Sequence, residues 1–323
     1  MSIIWTLIGL VAAFTVGVVI VSVVVGIRLT RKPRLPISTT PDRYGLNYRS
    51  FETTSRDGTT NLRGWVMEPE HAAKMTVIFA HGYGESRLQE NINFLSLSTF
   101  FVARHYRVVL FDFRGCGESD GNETTIGVLE KLDVLGVIDY VRKVYAEPIG
   151  LYGVSMGASA SLLAAAEDGN IHAIVADSPF SDLRTYLSDH LSVWTKLPRL
   201  PFTPIMMRMI PWITGVKPRE ANPYEALQRL SHTPILFIHG RGDDAIPFAE
   251  SERLAAIDPQ RFQLWGTDSR RHVRSHVEQP MTYRKRLLDF LDASLAQQVS
   301  ATSLAPDDDE EKKHGKAQKS CPF

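Results

Sequence analysis

Residues 149–166 read Ile149-Gly150-Leu151-Tyr152-Gly153-Val154-Ser155-Met156-Gly157-Ala158-Ser159-Ala160-Ser161-Leu162-Leu163-Ala164-Ala165-Ala166. The first part is a short apolar run suited to a buried strand, and the last part is rich in helix formers. Between them, Gly153-Val154-Ser155-Met156-Gly157 has the spacing Gly-x-Ser-x-Gly. A chain that passes from strand to helix through so sharp a turn has no room for a side chain at either glycine, and it presents the central serine as a nucleophile on a strained backbone. Ala158 and Ala160 keep the helix close to the strand it leaves. The pentapeptide alone arises readily by chance; the strand before it and the helix after it give it weight.

A serine hydroxyl is a weak nucleophile, so Ser155 needs a base within hydrogen-bond reach and a third group to fix that base's tautomer. Downstream, His239-Gly240-Arg241-Gly242-Asp243-Asp244 follows an apolar run at 235–238, and Asp243 or Asp244 is placed to supply the orienting carboxylate. His272 follows the next apolar run and precedes a helical pattern. The order serine, acid, histidine is that of one class of triad hydrolases and differs from the orders found in others. The reaction also requires N–H donors for the oxyanion. His81-Gly82-Tyr83-Gly84 follows an apolar run at 76–79, so the backbone N–H of Tyr83, with that of Met156, is expected to converge beside Ser155.

Six runs, at 76–79, 107–113, 149–152, 172–175, 234–238 and 261–265, read as buried strands, and helical spacings lie between them, as in Val128, Leu132, Leu135, Ile138 and in Tyr283, Leu287, Phe290, Leu291. Alternation of this kind predicts a mostly parallel central sheet with helices on both faces. Arg56-Asp57-Gly58 between the runs 48–54 and 62–67 predicts an antiparallel hairpin at the start of the sheet. Tyr83, Asp112, Ser155, Asp177, Asp243 and His272 then all fall at carboxyl ends of strands, the side on which open α/β sheets bind ligands. Asp112 and Arg114 in Asp112-Phe113-Arg114-Gly115-Cys116-Gly117 are expected to pin their loop structurally. Residues 181–230, with Pro198, Pro201, Pro204, Pro211 and Pro218 among Trp194, Phe202, Met206, Met207, Met209 and Trp212, interrupt the alternation and read as an inserted helical cap. Packing of the cap itself, or lining of an apolar substrate site, accounts for such side chains.

Taken together, these motifs, with Ile246-Pro247 and His272, resemble the α/β-hydrolase superfamily over residues 46–296, and within it bacterial membrane-anchored hydrolases of the serine aminopeptidase-like group. The resemblance implies the α/β-hydrolase fold and a triad of Ser155, Asp243 and His272, with Tyr83 and Met156 at the oxyanion hole. It selects Asp243 over Asp244 as the fourth residue after the histidine of His-Gly. It selects His272 over His276 through the spacing of Ser275, Pro280 and Tyr283. One departure stands out: where a glycine often precedes the catalytic histidine, this chain has Asp268-Ser269-Arg270-Arg271.

At the amino end, residues 3–27 carry no charge, and 16 of these 25 are Ile, Leu, Val or Phe. A helix of this length spans about 37 Å, enough to cross a hydrocarbon core of about 30 Å. The run is too long, and its start too poor in basic residues, for a cleaved signal peptide. Residues 1–29 are therefore expected to be a single transmembrane anchor, and residues 30–45, with Pro33, Pro36 and Pro41, a juxtamembrane linker. Arg28, Arg31, Lys32 and Arg34 on the carboxyl side place the following domain in the cytoplasm by the positive-inside bias. Residues 297–323 lack periodicity and are expected to be a disordered tail. The 323-residue chain carries 36 basic and 36 acidic side chains, which leaves no basic excess for nucleic acid. Its two cysteines, Cys116 and Cys321, suggest neither a disulfide framework nor a cysteine metal site. No metal or cofactor is expected. The sequence points to a serine hydrolase acting on a small hydrophobic ester or acyl substrate. The alternatives are a serine peptidase acting on amides and a non-catalytic membrane-tethered binding protein.

Overall fold

The computed structural model describes residues 2–303. Eight strands form one sheet: β1 (Tyr48–Thr54), β2 (Asn61–Met67), β3 (Met75–Ala80), β4 (Tyr106–Phe111), β5 (Ile149–Val154), β6 (Ala173–Asp177), β7 (Ile235–Gly240) and β8 (Phe262–Thr267). Their spatial order is β1-β2-β4-β3-β5-β6-β7-β8. β1 pairs antiparallel with β2, and β2 antiparallel with β4, whereas every pairing from β4 through β8 is parallel. The hairpin turns at Gly58, whose φ of 72° is left-handed.

The helices are α1 (Ser2–Thr30), α2 (Phe94–Val102), α3 (Glu130–Val144), α4 (Met156–Asp168), α5 (Leu183–Thr195), α6 (Arg199–Thr214), α7 (Pro223–Leu227), α8 (Phe248–Ala255), α9 (Ser275–Glu278) and α10 (Pro280–Ser303). Strand alternation divides the core in two. Ile78 and Ala80 of β3 point to one face, with Leu151 of β5, and pack on α3, α4 and α8; Val77, Phe79, Tyr152 and Val154 point to the other, against α2 and α10. A buried strand that is apolar on both sides follows from this double cover. Val128 lies outside the helix its spacing suggested: α3 begins at Glu130, and Val128 joins the cap cluster instead.

Helices α5, α6 and α7 lie between β6 and β7 and bury Leu183, Leu187, Leu191 and Met206 in a third apolar cluster above the sheet. The Met and aromatic side chains of this segment divide their roles. Met206 is core, Trp194 borders the cavity beside Ser155, and Trp212 is exposed.

Helix α1 is long and apolar enough over Ile3–Thr30 to cross a membrane. Its carboxyl half packs against α6, with Val18 and Ser22 buried. The segment expected to be a juxtamembrane linker is hydrogen-bonded to the domain. Arg34 donates to the carbonyls of Gly117 (3.1 Å), Ser119 (2.5 Å) and Gly121, and the Thr30 carbonyl accepts from the Thr124 N–H at 2.7 Å. At the other end α10 continues to Ser303, so helix occupies the first part of the expected tail; the remainder of that expectation lies outside the described residues.

The loop after β4 is pinned, as expected, by Asp112 and Arg114. Asp112 is fully buried and accepts from Arg87 through its N–H (2.7 Å), Nε (2.9 Å) and Nη2 (2.6 Å), and from the Glu118 N–H (2.9 Å). Arg114 turns away from Asp112 and grips the buried carboxylate of Asp133 on α3. A charge taken out of water needs this kind of pairing to avoid a large penalty.

Candidate active site

Ser155 stands between β5 and α4 with φ 53° and ψ −119°, a backbone conformation that only an over-determined surrounding maintains. Its N–H donates to the Asp177 carbonyl at 2.7 Å, which locks the turn to the end of β6. Gly157 explains the tight approach. A Cβ there would lie 2.2 Å from the Ala80 carbonyl oxygen, so α4 can rest on the end of β3 only without one.

The hydroxyl of Ser155 is 2.7 Å from His272 Nε2, and His272 Nδ1 is 2.8 Å from Asp243 Oδ2. The three side chains thus form one hydrogen-bonded line at the carboxyl edge of the sheet, with Ser155 only 7% exposed and the Asp243 carboxylate fully buried. The second oxygen of Asp243 accepts from the N–H groups of Ala245 and Ile246, each at 2.9 Å. Burial by itself would raise the pKa of this carboxyl, but hydrogen bonds from His239 and His272, with the backbone N–H of Ala245, hold it well below the ordinary range. Asp244 is engaged differently. Its Oδ1 accepts from the His272 backbone N–H at 3.0 Å, so one acid holds the ring and its neighbour holds the chain.

The loop carrying His272 lacks the common glycine, and the close approach is supplied from the opposite strand. A Cβ at Gly240 would lie 2.6 Å from the Ser269 carbonyl oxygen, and the Gly242 N–H donates to that same oxygen at 3.0 Å. His276 is not part of the line. It is buried beside α10, accepts from Arg284 Nε at 3.3 Å, and is pushed down to about 4 by burial and by the Arg284 charge.

Tyr83 and Met156 border the same cavity as Ser155. Neither backbone N–H has an acceptor among the described residues, which leaves two donors beside the nucleophile. His81 orders this strand end: its Nδ1 pairs with the Gly82 carbonyl at 2.8 Å, and its Nε2 accepts from the Phe113 N–H at 3.0 Å. Asp177, also at a strand end, is fully buried and is taken up by Tyr283 (2.6 Å) and Ser178 (2.8 Å), so it supports the sheet and stands outside the line.

The cavity is walled mainly by Phe180, Tyr186, Leu191 and Trp194 from the cap region and by Leu29 from α1. Trp194 stands edge-on to both Tyr83 and His272, with ring centroids 5.9 and 6.3 Å away, and its Nε1 donates to Tyr186 Oη at 2.6 Å. Of these walls, the sequence offered only Trp194 as a candidate lining. Trp194 carried a signal as an aromatic in the cap, whereas Leu29 was hidden in a uniformly apolar run. Among the described residues, no group of three or more His, Cys, Asp or Glu side chains is placed to hold a metal ion.

Comparison with known proteins agrees with this fold. Residues 29–200 match the family described as X-Pro dipeptidyl-peptidase (S15 family). The Bacillus subtilis (strain 168) protein YqkD is 30% identical over 236 residues, covering 72% of this chain and 75% of its own. The esterase Pf2001 of Pyrococcus furiosus superposes with a TM-score of 0.67 at 28% identity, over 82% of this chain and 98% of that one. The lysophosphatidylserine lipase ABHD12 of Danio rerio is 21% identical over 214 residues, 62% of this chain and 52% of its own. The non-catalytic alternative is thereby set aside: the chain belongs to the S15 peptidase family of the α/β-hydrolase superfamily and is a serine hydrolase.

Proposed function

We propose that this enzyme hydrolyses hydrophobic acyl esters through Ser155, His272 and Asp243, while anchored to a membrane by α1. The observation that carries the reading is the hydrogen-bonded line from Ser155 through His272 to Asp243, opening on an apolar cavity. His272 Nε2 takes the hydroxyl proton as Ser155 Oγ attacks the ester carbonyl, and Asp243 stabilises the imidazolium that forms. The Tyr83 and Met156 N–H groups receive the oxyanion, each contributing about 3–4 kcal/mol to the transition state. Collapse expels the alcohol, which carries off the proton from His272. Water, deprotonated by the same imidazole, then releases the acid from Ser155.

The family's name favours a second reading, cleavage of amide bonds after proline near a free amino terminus. Recognition of a free ammonium calls for a carboxylate in the site, and among the described residues no acidic side chain lines this cavity. The apolar walls suit a fatty acyl chain better, in keeping with a relative named as a lysophospholipid lipase. The positive-inside bias supports a cytoplasmic domain, although Arg34 and Lys32 also serve the fold, Lys32 lying 5.0 Å over the Tyr83 ring. Protease accessibility in intact cells tests that orientation.

The decisive test of the chemistry is labelling by a fluorophosphonate. The wild-type chain is expected to react and Ser155→Ala to be silent; equal labelling of both removes the assignment. Turnover of nitrophenyl esters without turnover of prolyl dipeptide amides favours the esterase, and the reverse favours the peptidase.

A further inference from the structure

The end of the anchor helix is part of the active site's wall. Leu29 borders the cavity that holds Ser155, and its carbonyl accepts from the Tyr83 hydroxyl. A residue earlier in the helix, Gly26, fits tightly against the cap, since a Cβ there would stand 3.1 Å from Ile213 Cδ1 of α6. With the Thr30 carbonyl and Arg34 also bonded to the domain, Leu29 is held in place from both sides.

Beyond Leu29 lies a second apolar cavity, bordered by Gly26, Ile210 and Val216. Leu29, Ile126, Leu187 and Leu191 border both spaces, so these four side chains form the partition between them. An acyl carbon must come within about 3–3.5 Å of the serine oxygen to react, so a bound chain runs from Ser155 toward this partition. We propose that the two cavities are successive parts of one acyl-binding channel, and that Leu29, contributed by the membrane anchor, determines how long an acyl chain the enzyme accepts. The proposal rests on the ester-hydrolase reading above.

The test uses the full-length protein in detergent micelles and compares kcat/KM for nitrophenyl dodecanoate with that for nitrophenyl butanoate. Each methylene newly buried is worth about fourfold. Leu29→Ala opens the partition and is expected to raise the dodecanoate-to-butanoate ratio at least about tenfold, and Leu29→Phe, which extends it, to lower the ratio by at least about tenfold. The two changes act in opposite directions, so either variant alone decides the matter if the other fails to fold. Leu10→Ala, on the exposed face of α1, is expected to leave the ratio unchanged. Ratios within about twofold of wild type in both Leu29 variants, or an equal shift in Leu10→Ala, overturn the channel while Ser155-dependent butanoate turnover keeps the hydrolase reading intact. A wild-type chain that neither turns over an ester nor takes up a fluorophosphonate overturns both.

Discussion

The adjacent acids Asp243 and Asp244 offer the sharpest test of the site, because their geometry assigns them unequal tasks. In Asp243→Asn, one position must still accept from the Ala245 and Ile246 N–H groups. The amide oxygen is the only side-chain atom able to do so. That forces the NH₂ group into the place of Oδ2, where it faces His272 Nδ1. Two donors cannot share that contact, so the imidazole moves its proton to Nε2 and can no longer accept from Ser155. Loss of the correct tautomer in such a triad lowers turnover about 10,000-fold, or about 5 kcal/mol of barrier. In Asp244→Asn, by contrast, the amide oxygen can still accept from the His272 N–H, and only an exposed charge is lost. Its effect is expected to stay within about two- to threefold, the range of an ordinary surface change. Nitrophenyl butanoate turnover by the full-length chain in detergent measures both, with circular dichroism to establish that each variant is folded. More than a tenth of wild-type turnover in Asp243→Asn, or equal losses in the two variants, would refute the tautomer argument.

Two further outcomes are expected. Gly157→Ala places a methyl group 2.2 Å from the Ala80 carbonyl and 2.4 Å from that of His81; the end of β3 must retreat, carrying the Tyr83 N–H with it, and turnover is expected to fall about 100-fold, as for loss of one oxyanion donor. Unchanged turnover would show that the two N–H groups do not act together. His276 is held neutral in the fold, with its pKa near 4 against about 6.5 when unfolded. The folded pKa is the lower one, so the stabilisation is complete above pH 6.5 and is lost as the pH falls from 6.5 toward 4, because the unfolded chain binds the proton first. Between pH 7 and pH 5 this removes about 1–2 kcal/mol of unfolding free energy. Urea unfolding at the two pH values measures it, and His276→Gln is expected to flatten the difference; an equal slope in the variant would assign the acid sensitivity elsewhere.

What can be read from the chain is whatever depends on near neighbours. Gly153 and Gly157 report a steric demand of the very turn they occupy, and the apolar runs of β3 and β5 report burial on both faces. Those local signals place Ser155, and chain order then narrows the search for its partners. Which acid meets the imidazole is decided by a turn, in which the Ala245 and Ile246 N–H groups aim one carboxylate inward and leave the next outside, and the composition Asp-Asp carries no trace of it. Arg114 shows the same limit. Its partner Asp133 lies 19 residues on, in the first turn of α3, and Asp112 is met by Arg87, 25 residues before it, so the motif the two share marks neither pairing. Leu29 shows it most fully. In a run of uniformly apolar residues, hydropathy records suitability for lipid and nothing more; contact with a pocket depends on where the chain goes after the helix. The Tyr83 hydroxyl on the Leu29 carbonyl, the Thr124 N–H on the Thr30 carbonyl and the grip of Arg34 fix that return. Because these bonds are made by the last turn of α1 and the residues after it, displacing α1 must also displace a wall of the cavity that faces Ser155. The apolar helix α1 and the cavity beside Ser155 are thereby mechanically coupled.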